Sequence, residues 1–177
     1  MRKFILACVL ALVCATSALA APITLTHLAT YEGNDCAGVF GQSFASCVTP
    51  ENYGGSPIIA KWEPGNLWIL NTNLFPTLTN SMFGVTLNDD RTGHFTYNGA
   101  GPDISYVVVK AGNYFNLYST GTRGPIEFDF NTTPSLGDKA LGVSHISVYD
   151  THPVPEPGST LAMLCVGLMG LWTTRRS

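Results

Sequence analysis

The sequence predicts a mainly β protein: a single antiparallel β-sandwich or meander ectodomain, flanked by a cleaved signal peptide and a short C-terminal transmembrane helix. Three observations carry this expectation. Short apolar or alternating stretches recur between Gly-, Asn- and Pro-rich turns from Ile23 to Tyr149, the spacing of an all-β domain. No segment between the two ends has a helical hydrophobic period. Each end is an apolar run with positive charge on one side.

At the N-terminus, Arg2 and Lys3 precede an apolar run from Phe4 to about Val13, and small residues then lead to Ala18-Leu19-Ala20. That is the three-part layout of a secretory signal peptide. The run is shorter than the roughly 20 apolar residues a bilayer span needs. Residues 1–20 are therefore read as the signal, with cleavage between Ala20 and Ala21. A lipoprotein reading around Cys8 fails because too few apolar residues precede that cysteine.

Residues 21–153 form the ectodomain, one domain by size. It carries five lysines and arginines against eleven acids, a net charge near −6. No basic patch is present to neutralise phosphates, so nucleic acid is not expected as a partner. Of five cysteines only Cys36 and Cys47 fall in this region. In an oxidising compartment such a pair reads as a disulfide closing a loop of about a dozen residues. Their spacing is not the C-x-x-C of a redox motif, and no histidine lies nearby for a metal site.

The strands are expected in this order. Ile23 to Ala29 alternates, and Glu32 to Asn52 is a polar loop held by the cysteines. Pro57 to Trp62 is a short apolar strand that turns at Glu63-Pro64-Gly65-Asn66 and pairs back over Leu67 to Leu70. Phe83 to Leu87 places Phe83, Val85 and Leu87 on one face, and Phe95 to Tyr97 returns from an Asx-rich turn. Ile104 to Lys110 is the most apolar stretch and is expected at the centre of a sheet. Tyr114 to Tyr118 runs back from Ala111-Gly112-Asn113. Ile126, Phe128 and Phe130 alternate with Glu127 and Asp129, and Val143 to Tyr149 is the last strand.

Candidate chemistry is sparse. His27, His94, His145 and His152 are scattered, whereas zinc sites bring ligands close in sequence. Asn88, Asp89 and Asp90, and Asp129 with Asn131, offer oxygens but not calcium-loop spacing. There is no G-x-S-x-G elbow, and no acids stand in a suggestive run for a glycosidase pair. No catalytic residue, cofactor or metal is expected, and the chain is read as a non-enzyme. Aromatic residues are plentiful, and Trp62 and Trp68 are the candidates for a flat sugar-binding platform. The competing reading is that both rings bury in the core, as strand aromatics often do. A platform ring serves binding, whereas a core ring serves stability.

At the C-terminus, residues 154–177 hold Pro155-Glu156-Pro157, an uncharged apolar run, and Arg175-Arg176. Residues of about 158–174 would make a helix some 26 Å long at 1.5 Å per residue, a thin span for a hydrocarbon core of about 30 Å. The arginines would stay cytoplasmic by the positive-inside rule, with the ectodomain outside. The order of these three parts resembles the PEP-CTERM sorting signal. The resemblance implies processing near Pro155-Glu156-Pro157 by an exosortase, a membrane transpeptidase-like cysteine protease, after transient inner-membrane anchoring. It implies an address in the cell envelope or extracellular matrix. The family occurs mainly in Gram-negative bacteria that make exopolysaccharide. The expected function is accordingly a non-catalytic surface or matrix protein; the alternatives are a carbohydrate-binding module for exopolysaccharide and, third, a secreted hydrolase. Stretches such as Ile104–Gly112 and Leu141–Tyr149 resemble ectodomains that recur with this tail, which imply no activity.

Overall fold

The computed structural model describes residues 22–132 and 141–151. The signal peptide with its Ala20–Ala21 junction, and the sorting motif with the apolar segment at 158–174, lie outside the described residues. Among the described residues nine strands run in chain order: β1 (Thr26–Glu32), β2 (Ile58–Trp62), β3 (Ile69–Leu70), β4 (Phe83–Leu87), β5 (Thr92–Tyr97), β6 (Ile104–Ala111), β7 (Tyr114–Ser119), β8 (Ile126–Asn131) and β9 (Val143–Asp150). They form two antiparallel sheets. One has six strands in the order β1-β7-β6-β9-β2-β3, and the other has three in the order β4-β5-β8.

The apolar run of β6 places it inside the larger sheet, between β7 and β9. Alternate side chains of these strands enter two separate cores, as the period of two requires. Val107 and Val109 of β6, Ile146 and Val148 of β9, and Ile59 and Trp62 of β2 face the three-stranded sheet. There they meet Phe83, Phe95, Tyr97, Ile126, Phe128 and Phe130. The alternation read in β8 is the reason its three apolar residues all point inward. Phe95 and Phe128, paired across β5 and β8, stack with ring centroids 4.7 Å apart, a cross-strand aromatic pair of the kind that stabilises a sheet.

The opposite face of the six-stranded sheet is covered by residues 33–56. This segment has no strand of its own, only short helical turns at Asp35–Val39, Phe44–Ser46 and Glu51–Tyr53. It buries Cys36, Phe40 and Cys47 against Ile58, Val108, Phe115, Leu117 and Tyr149. The Cys36–Cys47 disulfide forms as expected. Phe40 sits edge-on to both Phe115 and Tyr149.

Two expectations shift. The first strand starts later, at Thr26, because residues 22–25 first run beside β8: Ile23 N–H donates to the Glu127 carbonyl at 2.8 Å. The chain then crosses to the larger sheet. The hairpin after Trp62 keeps only two paired residues, since the Trp68 N–H is taken by the Asn80 side chain at 2.9 Å. Leu87 shares the face of Phe83 and Val85, in unbroken register with β5, but stands exposed at the end of its hairpin. The β6–β7 connection is a two-residue loop whose first residue, Gly112, has φ of +57°, the left-handed position that such hairpins fill with glycine.

The disulfide closes an 11-residue separation, and loop-closure entropy gives it a weight of about 3 kcal/mol. Replacing Cys36 and Cys47 together by serine is expected to lower the urea-unfolding free energy by that order. An unchanged midpoint would mean that the loop is held in the unfolded chain by other means.

Candidate functional site

The main polar feature of the described structure lies between the stapled segment and β9. His145, Ser147 and Tyr149 occupy alternate positions of β9, so they share one face. All three reach the carboxylate of Asp35, in the turn just before Cys36. His145 Nε2 lies 2.9 Å from Asp35 Oδ1. Ser147 Oγ donates to Asp35 Oδ2 at 2.6 Å, and Tyr149 Oη donates to the same oxygen at 3.1 Å. Asp35 is 1% exposed, and its three partners are buried with it. Burial pushes the Asp35 carboxyl up, but the hydrogen bond and charge of His145, with hydrogen bonds from Ser147 and the Cys36 N–H, outweigh it. The group is held well below the usual carboxylate range. Because Asp35 stays ionised, His145 carries its proton on Nε2 and donates.

Tyr149 extends the network to the disulfide. Its Oη is 3.4 Å from Cys47 Sγ and 3.6 Å from Cys36 Sγ. Burial, then the charge of Asp35, pushes this phenol well above its ordinary value, so it keeps its proton. Lys110, cross-strand from His145, is 6% exposed. Its ammonium donates to the carbonyls of Gly33 at 2.8 Å and Gly112 at 2.6 Å, tying the start of the loop to the β6–β7 hairpin. Burial pulls the Lys110 ammonium down, partly offset by Asp35.

This network borders an open recess of about 460 Å³, whose lining includes Asp35, Phe44, Lys61, Glu63, Lys110 and His145. Lys61 and Glu63 form an ion pair at 2.9 Å on its rim.

Of the residues singled out in the sequence, His145 and the two cysteines fall at this network, and the others lie elsewhere. Cys36 and Cys47 meet beside the network. Trp62 and Trp68 do not form a platform, which corrects that expectation: they are 9% and 8% exposed and belong to the core between the sheets. Trp68 packs on Phe83 with ring centroids 4.9 Å apart and edge-on to Phe95, so its indole serves the core. The histidines stay apart. His27 bonds Thr30 at 3.1 Å. His94 lies between two carboxylates, Asp129 on Nδ1 at 2.8 Å and Glu127 on Nε2 at 3.1 Å. Opposite ring nitrogens direct those carboxylates to opposite sides, where they cannot share an ion. His152 lies outside the described residues. Asp89 is spent on its own turn, accepting from the Arg91 and Thr92 N–H groups. Among the described residues no group of three or more His, Cys, Asp or Glu side chains is arranged to hold a metal. No described helix is long and apolar enough to cross a membrane.

Sequence reasoning missed the Asp35 cluster. The signal was there: three polar side chains on one face of an otherwise apolar strand require a buried partner.

Breaking a buried, hydrogen-bonded charge costs about 3–5 kcal/mol. Asp35→Asn is therefore expected to lower stability at pH 7 by about 3 kcal/mol. Since the folded-state carboxyl is depressed, its stabilisation is present above the ordinary carboxylate value of about 4 and is lost as pH falls through the lower folded value. Unfolding followed from pH 7 to pH 2 should show the wild-type advantage over Asp35→Asn shrinking only in the acid range. A difference that is constant with pH would exclude an ionised Asp35.

Comparison with known proteins bears on the C-terminus. Residues 153–177 match the model of the PEP-CTERM protein-sorting motif. No curated protein matches the chain. No solved structure matches it either. In general the motif implies an exosortase as processing partner, and export to the envelope or the extracellular space. The ectodomain described above is therefore followed, directly after β9, by a PEP-CTERM sorting signal.

Proposed function

We propose that this protein is a non-catalytic component of the cell surface or extracellular matrix. In this reading its signal peptide is removed between Ala20 and Ala21. Its tail is held briefly in the inner membrane by residues of about 158–174 and cut by an exosortase near Pro155-Glu156-Pro157. The body so delivered is a disulfide-stapled β-sandwich. The observation that carries the reading is the sorting match at residues 153–177, which begins two residues beyond Thr151. The fold supports it in two ways. The last strand β9 ends at Asp150, and Thr151 is fixed by Ser105 and by the Asp103 carbonyl. The last described strand thus ends before the motif starts. A buried disulfide also suits an oxidising destination.

The non-catalytic part of the reading rests on the chemistry of the Asp35 cluster. A Ser, a His and an Asp come together, but not in the order that activates a nucleophile. Ser147 donates its proton to Asp35, not to His145, and Tyr149 shares the same carboxylate oxygen. An activated serine needs an effective base and a hydroxyl open to substrate; the Asp35 carboxylate, held well below its usual range, is a weak base, and Ser147 is fully buried. The geometry suits a structural clamp.

The test is processing in the producing cell. Replacing Pro155, Glu156 and Pro157 by alanine, or Arg175 and Arg176 by glutamine, is expected to leave a longer, membrane-associated chain where the wild type yields a shorter one outside the inner membrane. Immunoblots of fractionated cells read both size and place. Unchanged size and location in both variants would remove the sorting role.

A further inference from the structure

The recess beside the Asp35 cluster is not used by the clamp itself. It sits where three neighbouring strands present one face at the same end of the larger sheet: Lys61 of β2, His145 of β9 and Lys110 of β6. Glu63 follows β2 and completes the rim. The stapled segment closes one side with Asp35 and Phe44, and Ile69 of β3 closes another. Its volume of about 460 Å³ falls in the range of small-molecule sites, about 300–1,000 Å³.

We propose that this recess binds a neutral, polyhydroxylated ring, a single sugar unit of a glycan. Its charges are already matched internally. Glu63 is paired with Lys61, and the Asp35 carboxylate is occupied by His145, Ser147 and Tyr149. The remaining ammonium, Lys110, is bonded to neutral carbonyls but feels the Asp35 charge, so a bare anion would meet as many carboxylates as lysines, and the ectodomain around it is strongly acidic, which repels polyanions at long range. Hydrogen-bonding capacity is left over. An ammonium has three N–H groups. Lys110 directs two of them to Gly33 and Gly112, and Lys61 directs one to Glu63. Glu63 keeps acceptor capacity on its carboxylate. Such charged donors and acceptors form strong, directional bonds to neutral hydroxyls. Phe44 and Ile69 supply the apolar side on which the C–H face of a sugar ring would rest, as Trp62 and Trp68 do not. A ligand that alternates hydroxyls with C–H groups matches this lining; a purely apolar one would leave the lysines and Glu63 desolvated without partners.

The placement adds to the case. From His145 to Thr151, β9 runs six residues, about 20 Å at 3.3 Å per residue. The recess thus lies along the sheet from Thr151, the last described residue before the sorting match. The ligand chemistry does not rest on the sorting reading.

The test uses the full chain purified in detergent and saturation-transfer NMR with the methyl glycosides of glucose, galactose, mannose and N-acetylglucosamine, and with glucuronate. Saturable transfer to at least one neutral glycoside is expected. Lys61→Met and Glu63→Gln alter only the half-exposed rim and should weaken it about tenfold, the loss of one hydrogen bond to a charged group, with unchanged melting temperature. Arg123→Gln, at the tail end of the domain, should leave it unaltered. No saturable transfer to any neutral glycoside, stronger transfer to glucuronate, or equal binding by the rim variants would each overturn the proposal. Processing of the tail is read separately, so failure here leaves the sorting reading standing.

Discussion

The structure depends on a carboxylate buried where a carboxylate is costly. Asp35 is out of water, and an ion so placed is tolerated only when its acceptor sites are filled. The donors come from β9, an interior strand of the larger sheet, and they come as a set because a strand repeats its facing every second residue. His145, Ser147 and Tyr149 thereby fix where residues 33–56 lie. Without that fixed point, the segment would be kept on the sheet by its apolar contacts and by bonds near its two ends, at Gly33 and at Cys47, while the disulfide braces it only internally. Tyr149 bonds the carboxylate and touches both sulfurs, so the covalent and polar restraints share one phenol. The consequence is a sheet covered on both faces: one by three strands with an aromatic core, the other by a segment with almost no regular structure. Lys110 adds a further tie from the loop to the hairpin that follows β6.

Most of the framework was legible in the sequence. The alternation of β8, the apolar run of β6 and the Asx-rich turn after β4 specify their strands locally, and the structure places them accordingly. The cysteine pair was legible for the same reason: two cysteines in an exported domain have few alternatives. What failed to show needed distance. Asp35 and His145 are 110 residues apart in sequence, and nothing local marks Asp35 as different from the acids of a turn. The tryptophans failed for a related reason. A strand aromatic facing the core and one facing a ligand have the same sequence neighbours, and the choice between them is made by the second sheet, which packs Phe83 and Phe95 on Trp68. The start of β1 moved because Ile23 found a partner in β8, a contact that no pattern of period two announces.

Function is divided between two places. The address lies in the last 25 residues, where a motif can be matched because the processing machinery reads a short linear signal. The ectodomain offers no such motif, and its chemistry emerges only when three strands and a loop converge. A clamp made of a carboxylate, an imidazole, two hydroxyls and a disulfide is suited to a protein that works outside the cell without repair, since each part restrains the same loop by a different physical means. The recess beside it is a by-product of the same convergence: β9 presents the donors to Asp35, and its neighbours β6 and β2 bring Lys110, Lys61 and Glu63 to the recess.

The most direct measurement of this account is native-state amide hydrogen exchange on the wild type and on Asp35→Asn at neutral pH. The amides of Phe40, Val48 and Ile58, which bond within or onto the stapled segment, should exchange much faster in the variant, while those of β5 and β8 keep their protection. Equal acceleration in both regions, or none in the stapled segment, would contradict the claim that the buried carboxylate of Asp35 holds this layer to the sheet.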